Sequence, residues 1–192
     1  SSFEGKINQS LCMYDVSNSK LDKVYLVGLG EKNKFNEKKF LKSIIYVSNL
    51  CKKENIKNIF LDLDVLMSNK KINIDWAIRN ISIQINGIDY LYSETKSKTK
   101  SKTNYKVSKI VFLCASVKSQ YKTKLKKYFI QGSAISNGIK LAKKLGDLPS
   151  NICTPTYLAK SAVALGKENK NWNIKIHNEK DMKAMGMNCL LS

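Results

Sequence analysis

Arginine, histidine and proline are almost missing from this sequence of 192 residues, which has one arginine (Arg79), one histidine (His177) and two prolines (Pro149 and Pro155). The first two scarcities each exclude something. A surface built to read phosphates or guanines is expected to use arginine's planar five-donor fork, which lysine's flexible point charge does not replace. A structural zinc site wants four clustered Cys or His ligands, and one imidazole with five dispersed cysteines (Cys12, Cys51, Cys114, Cys153, Cys189) offers none. There is no C-x-x-C pair, and one cysteine is left over in any pairing scheme, so buried thiols in a reducing compartment are expected. No apolar run reaches the ~20 residues that span a bilayer. The start, Ser1-Ser2-Phe3-Glu4-Gly5-Lys6, has no basic region followed by an apolar one. The expectation is a soluble, unexported chain with no membrane partner. Lacking an initial Met, it reads as processed or as a piece of something longer.

What the sequence has in excess is lysine: 34 basic residues stand against 15 acidic ones, a formal charge of +19. Lys, Asn and Ile are all abundant, the trio that an A/T-rich coding sequence inflates, so composition alone accounts for much of the charge. A hydrophobic content of 43% with 26% charged residues excludes wholesale disorder. At a prior of ~150 residues per domain, the length allows one domain and part of a second.

Strand and helix patterns alternate. Ser10 to Val16 reads as a strand, and Lys23 to Gly30 as a near-continuous apolar run of the kind found in buried parallel strands. Asn36 can cap a helix whose apolar face is Phe40, Leu41, Ile44, Ile45, Ser48 and Cys51. A β run over Asn58 to Leu63 precedes a helical stripe of Ile74, Ile78, Ile81, Ile85 and Ile88, with Asp75 in its first turn. Lys109 to Cys114 is a further strand, and Leu125, Phe129, Gly132, Ile135, Ile139, Ala142 and Leu145 then line a long helix reaching Gly146. This order predicts an α/β fold, a mostly parallel mixed sheet flanked by helices.

Past Pro149 the texture changes: Thr154-Pro155 restarts a helix, Trp172 to His177 reads as a short strand, and Asn178 with Asp181 opens a short helix that Gly186 can close. Met187 to Leu191 looks like another strand beginning. These ~45 residues are too few to bury a core of their own, so the chain is expected to stop inside a second domain.

Several residues invite a chemical reading. Gly28-Leu29-Gly30 suggests a dinucleotide loop, with Asp62 or Asp64 as its acid, but the third glycine would fall on Asn33, and a glycine-relieved turn is the better reading. Asp62 and Asp64 on one strand face mimic a carboxylate pair without a basic companion. His177, ending a strand next to Asn178-Glu179, is the one imidazole available as a base, and Cys153 near a helix start could have an acidified thiol, although a small, largely apolar side chain in a turn is as consistent. From Lys96 to Gly146 there are fourteen lysines and no acid. Within that stretch, Lys96, Lys98, Lys100 and Lys102 belong to a Lys/Ser/Thr tract expected as a mobile surface loop, or alternatively as a polyanion contact with steep salt dependence. No complete catalytic constellation emerges.

Taken together, several stretches resemble the leucyl (cytosol) aminopeptidase family, its bacterial aminopeptidase A branch in particular. The strongest is Leu145 to Ala159, with its P-x-N-x-x-T-P-x-x-L-A spacing from Pro149 to Ala159. Glu4-Gly5-Lys6, Val27 to Gly30, Gly132 to Lys143 and Met182 to Met187 support it in the same order. The resemblance implies an amino-terminal α/β domain (1–123), a linker helix (124–147) and the truncated start of an α/β metallopeptidase catalytic domain (148–192). It further implies a cytoplasmic, homohexameric hydrolase acting on peptides with two divalent ions, Mn or Zn, in the full-length enzyme. The family's metal ligands and catalytic residues would lie beyond Ser192, so no catalytic or metal residue is carried over and this chain is expected to bind no metal. Because some bacterial relatives bind DNA, a basic DNA-binding accessory role is the alternative.

Overall fold

The computed structural model describes residues 2–16, 21–64, 72–95, 105–113, 119–169 and 171–191. The chain divides into two compact units, Ser1–Ala142 and Lys143–Ser192.

In the first unit, β1 (Ser10–Tyr14) and β2 (Lys23–Val27) form an antiparallel ladder, Ser10 opposite Val27 and Tyr14 opposite Lys23. The apolar run over β2 suggested a buried parallel strand. The antiparallel pairing follows from chain length, because the link between Tyr14 and Lys23 is short and a parallel crossover needs about a dozen residues or more. The Ser10 hydroxyl hydrogen-bonds that of Tyr46 at 2.7 Å, which turns this face of the ladder toward the next helix.

That helix, α1 (Glu37–Lys53), begins where Asn36 stands in extended backbone and its Oδ1 accepts the Lys39 N–H at 3.0 Å. Glu37 in its first turn and Lys52 and Lys53 in its last complement the helix dipole. Its buried face is Phe40, Ser43, Ile44, Ser48 and Cys51; Ile45, placed there by spacing, is exposed.

β3 (Asn58–Asp62) and β4 (Lys109–Leu113) pair in parallel, Asn58 opposite Lys109. Between them in sequence lies α2 (Ile74–Gly87), the crossover such a pair requires. Asn73 caps it by accepting from Asp75 and Trp76 N–H, and Ala77, Ile78, Ile81, Ser82 and Ile85 are buried. Phe40 and Trp76, ring centroids 5.6 Å apart, pack α1 on α2. The core continues through Ile59, Leu63 and Tyr105, whose hydroxyl donates to the Ile56 carbonyl. The fold class is α/β as expected, but among the described residues the sheet is held as two two-stranded ladders, one antiparallel and one parallel.

A single helix, α3 (Ser119–Asp147), leaves the first unit and ends in the second. Described on its own, the second unit has α4 (Pro155–Glu168), capped by the Thr154 hydroxyl accepting Tyr157 N–H at 3.3 Å with Pro155 in its first turn. It also has α5 (Glu179–Ala184), opened by an Asn178/Asp181 capping box and followed by Gly186 at φ +72°. Two expected strands are not formed. Residues 172–177 carry the alternating Trp172, Ile174 and Ile176 but no ladder, since the unit's described residues offer no partner strand. Asn188–Leu190 is a 3-10 turn. Among the described residues no helix is long and apolar enough to cross a membrane.

Candidate functional site

The glycines after β2 are consumed by the fold. Gly28 N–H donates to the Gln9 carbonyl at 2.8 Å and Gly30 N–H to the Gly5 carbonyl at 2.9 Å. A Cβ at Gly28 would lie 2.6 Å from that same Gly5 oxygen. These backbone donors bind the amino-terminal turn, and helix α1 begins only at Glu37, so no phosphate loop is built here. Asp62 is likewise occupied, its Oδ1 accepting the Asp64 N–H at 2.9 Å in a turn at the end of β3.

His177 is half-buried just ahead of α5, in the second unit, and Cys153 is half-buried in the turn before α4. Asp62 and Asp64 belong to the first unit and His177 to the second. Cys51 is a free thiol inside the first unit's core, where burial pushes it up to about 11. Among the described residues, no three His, Cys, Asp and Glu side chains are grouped to hold a metal ion. Cys114 and the four tract lysines, Lys96, Lys98, Lys100 and Lys102, lie outside the described residues.

What pattern reading missed is the contact between α2 and α3. Of the expected apolar face of α3, Leu125 and Gly132 are buried, but Ile135 and Ile139 are exposed, and Ser136, outside the expected set, is buried. The helix is rotated so that small residues meet α2. Ser82 Oγ donates to the Phe129 carbonyl at 2.7 Å, Asn86 Nδ2 donates to Ser82 Oγ at 3.0 Å, and Ser136 Oγ donates to the Ile83 carbonyl at 3.2 Å. Arg79, the sole arginine, lies over the Tyr128 ring at 5.2 Å and donates to Gln131 at 3.3 Å. A hydrogen bond to Asp75 holds the Tyr128 hydroxyl above its ordinary range. Lys140 pairs with Asp89 at 2.7 Å. The one clue in the sequence was Gly132 and Ser136 a helical turn apart.

Two surfaces remain. On α3, Lys122, Lys124, Lys126 and Lys127 are exposed, with Lys124 5.9 Å from the Tyr121 ring centre. On α4, a groove of about 390 Å³ is lined by Ala159, Lys160, Val163, Ala164, Lys167 and Ile176, among others.

The chain thus holds an α/β scaffold and a second compact unit, and two family models match successive parts of it. Residues 1–99 match the family model described as cytosol aminopeptidase family, N-terminal domain, and residues 140–192 that of the catalytic domain. The chain is 33% identical over 198 residues to the probable cytosol aminopeptidase of Blochmanniella floridana, covering 99% of this chain and 37% of that protein. It is 31% identical to that of Aromatoleum aromaticum, covering 98% and 37%. Among solved structures, a mutant tomato leucine aminopeptidase superposes with TM-score 0.70 at 18% identity, covering 96% of this chain and 34% of that one. The bottromycin maturation enzyme BotP gives 0.72 at 15%, covering 96% and 36%. Its complex with Mn gives 0.64 at 16%, covering 86% and 32%. The structural likenesses show the fold. The chain belongs to the cytosol aminopeptidase family, and it spans just over a third of the length of these relatives.

Proposed function

We propose that this chain is the amino-terminal part of a metal-dependent leucyl-type aminopeptidase that releases amino-terminal residues from peptides by hydrolysis. In this reading residues 1–123 are the amino-terminal domain, 124–147 the linker helix and 148–192 the start of the catalytic domain. The observation that carries it is the succession of two family matches, N-terminal domain then catalytic domain, along one chain. The relatives' names support a cytoplasmic location, and a homohexamer follows by resemblance.

Two divalent ions, Mn or Zn, would polarise the scissile carbonyl and the attacking water in the longer enzyme; the BotP complex with Mn supports a divalent ion in this family. Among the described residues no three ligating side chains converge, so that donor set does not fit them. No described residue is assigned as a ligand, and the role proposed for the chain is to position the catalytic half. The test is release of leucine from a leucyl-anilide, with and without added Mn²⁺, by the longer protein and by the 192-residue chain.

A second reading, a DNA-binding accessory role, draws on the fourteen lysines without an acid over 96–146 and on the exposed lysines of α3. Its test is the salt dependence of binding to duplex DNA.

A further inference from the structure

All three long helices of the first unit send a group to the end of α2. That helix has no basic residue in its last turn to balance its carbonyl end, and positive charge reaches it from its neighbours. Lys52, in the last turn of α1, donates from Nζ to the Ile88 carbonyl at 3.2 Å, and Lys140 of α3 pairs with Asp89 at 2.7 Å. Each side chain of the Lys140–Asp89 pair is 25% exposed. Lys140 continues the seam that α3 lays along α2. Gly132, Ser136 and Lys140 follow one another at four-residue steps, Gly132 against Ser82 and Ser136 donating to the Ile83 carbonyl. Ile135 and Ile139 each stand one residue from this seam, about 100° round the helix, and both are exposed.

We propose that the Lys140–Asp89 pair is a rotational switch for α3. Paired, it holds the helix with Gly132 and Ser136 on α2; neutralised, it lets the part of α3 beyond Gly132 turn so that Ile135 and Ile139 face α2 instead. Opposing forces in the same chain separate the two arrangements. Removal of two isoleucines from water favours the turned one. The charge pair opposes it, because turning draws Lys140 away from Asp89, and charges three-quarters shielded from water are costly to leave unpaired. The Ser136 hydrogen bond opposes it as well. The helix has a place to give: Gly132-Ser133 is a Gly/Ser pair, the kind of step at which helices bend, and Gly138 has nothing within 4 Å of a Cβ position. Selecting one of two packings is the best-attested use of a shielded ion pair. A polar contact that two neighbouring helix faces compete over makes a two-state element.

Hydroxyl-radical footprinting of the 192-residue chain, read residue by residue by mass spectrometry, tests this on Asp89→Ala, Lys140→Met and the double variant. In the wild type, Ile135 and Ile139 are expected to oxidise readily and the buried Leu125 slowly. Each single variant is expected to lower oxidation of the two isoleucines about threefold while Leu125 keeps its protection. The double variant should go no further than either single one, since both remove the same interaction. Lys140→Arg, which keeps the cation, and Lys126→Met, which removes an exposed charge elsewhere on α3, should both leave the wild-type pattern. Unaltered oxidation of Ile135 and Ile139 in the neutralised variants overturns the proposal. So does a rise in oxidation along all of α3, Leu125 included, which would make the pair a plain stabilising contact. A double variant whose effect is the product of the two singles, or a control that behaves as Lys140→Met does, overturns it too.

Discussion

Gly132 on α3 lies so close to Ser82 on α2 that a Cβ at position 132 would stand 2.7 Å from the Ser82 Cβ and 3.0 Å from the Arg79 Cα. A side chain there has no room, and the neighbouring atoms are backbone and a buried Cβ that cannot swing away. Gly132→Ala is expected to cost about 1–3 kcal/mol, the usual range for overpacking. Gly138, on the same helix with nothing within 4 Å of such a Cβ, is the control. Gly138→Ala is expected to stabilise by up to about 1 kcal/mol through helix propensity. Urea unfolding of both variants is the check, and equal shifts would contradict the close crossing.

Ser82 holds that crossing from the other side. It is fully buried, donates to the Phe129 carbonyl and accepts from Asn86. Ser82→Ala removes both hydrogen bonds and is expected to cost about 1–3 kcal/mol, with amide exchange in α3 near Phe129 accelerated more than in α1. Uniform acceleration across the first unit would argue that the hydrogen bond does not act locally.

Burial raises two ionisable groups of the first unit's core, Cys51 from 9.0 to about 11 and Tyr105 from 10.0 to about 12. Both are neutral when protonated and ionise more readily unfolded than folded. Their contribution to stability is therefore complete below pH 9 and is lost as pH rises, through about 11 for Cys51 and about 12 for Tyr105. The difference in urea midpoint between the wild type and Cys51→Ala should shrink as pH is raised from below 9 toward 11. In the native state near neutral pH, the exposed Cys189 should react with a thiol reagent well before Cys51.

Helix positions were legible because their signals are local. Asn36 and Thr154 cap where their sequences indicate, and the isoleucine stripe of α2 is buried through Ile78, Ile81 and Ile85. The Asn178 box and Gly186 bracket α5 as read. Pairing was not legible, because it depends on distant partners: β2 turned back on β1, and residues 172–177 found no ladder. The face of α3 was read correctly at Leu125 and Gly132 and misplaced at Ile135 and Ile139. Counting apolar side chains selects those two isoleucines and passes over Ser136, whereas the close approach to α2 is made at Gly132 and Ser136. As to chemistry, the glycines, carboxylates, histidine and thiols singled out in the sequence have structural partners or lie apart. Family membership was readable from the spacing of Pro149 to Ala159.

The lysine-rich stretch separates composition from selection. If α3 and the tract before it contact DNA, retention should fall steeply with salt, and neutralising Lys96, Lys98, Lys100 and Lys102 should flatten the log-log slope. A slope unchanged by those substitutions would remove the tract from any such contact.

The proposal that this chain organises an aminopeptidase without performing its chemistry is decided by leucyl-anilide turnover with added Mn²⁺, measured side by side on the purified 192-residue chain and on the longer protein that contains it. Turnover by the longer protein alone, abolished by a chelator, is expected; turnover by the 192-residue chain, or none by the longer protein, would contradict the proposal.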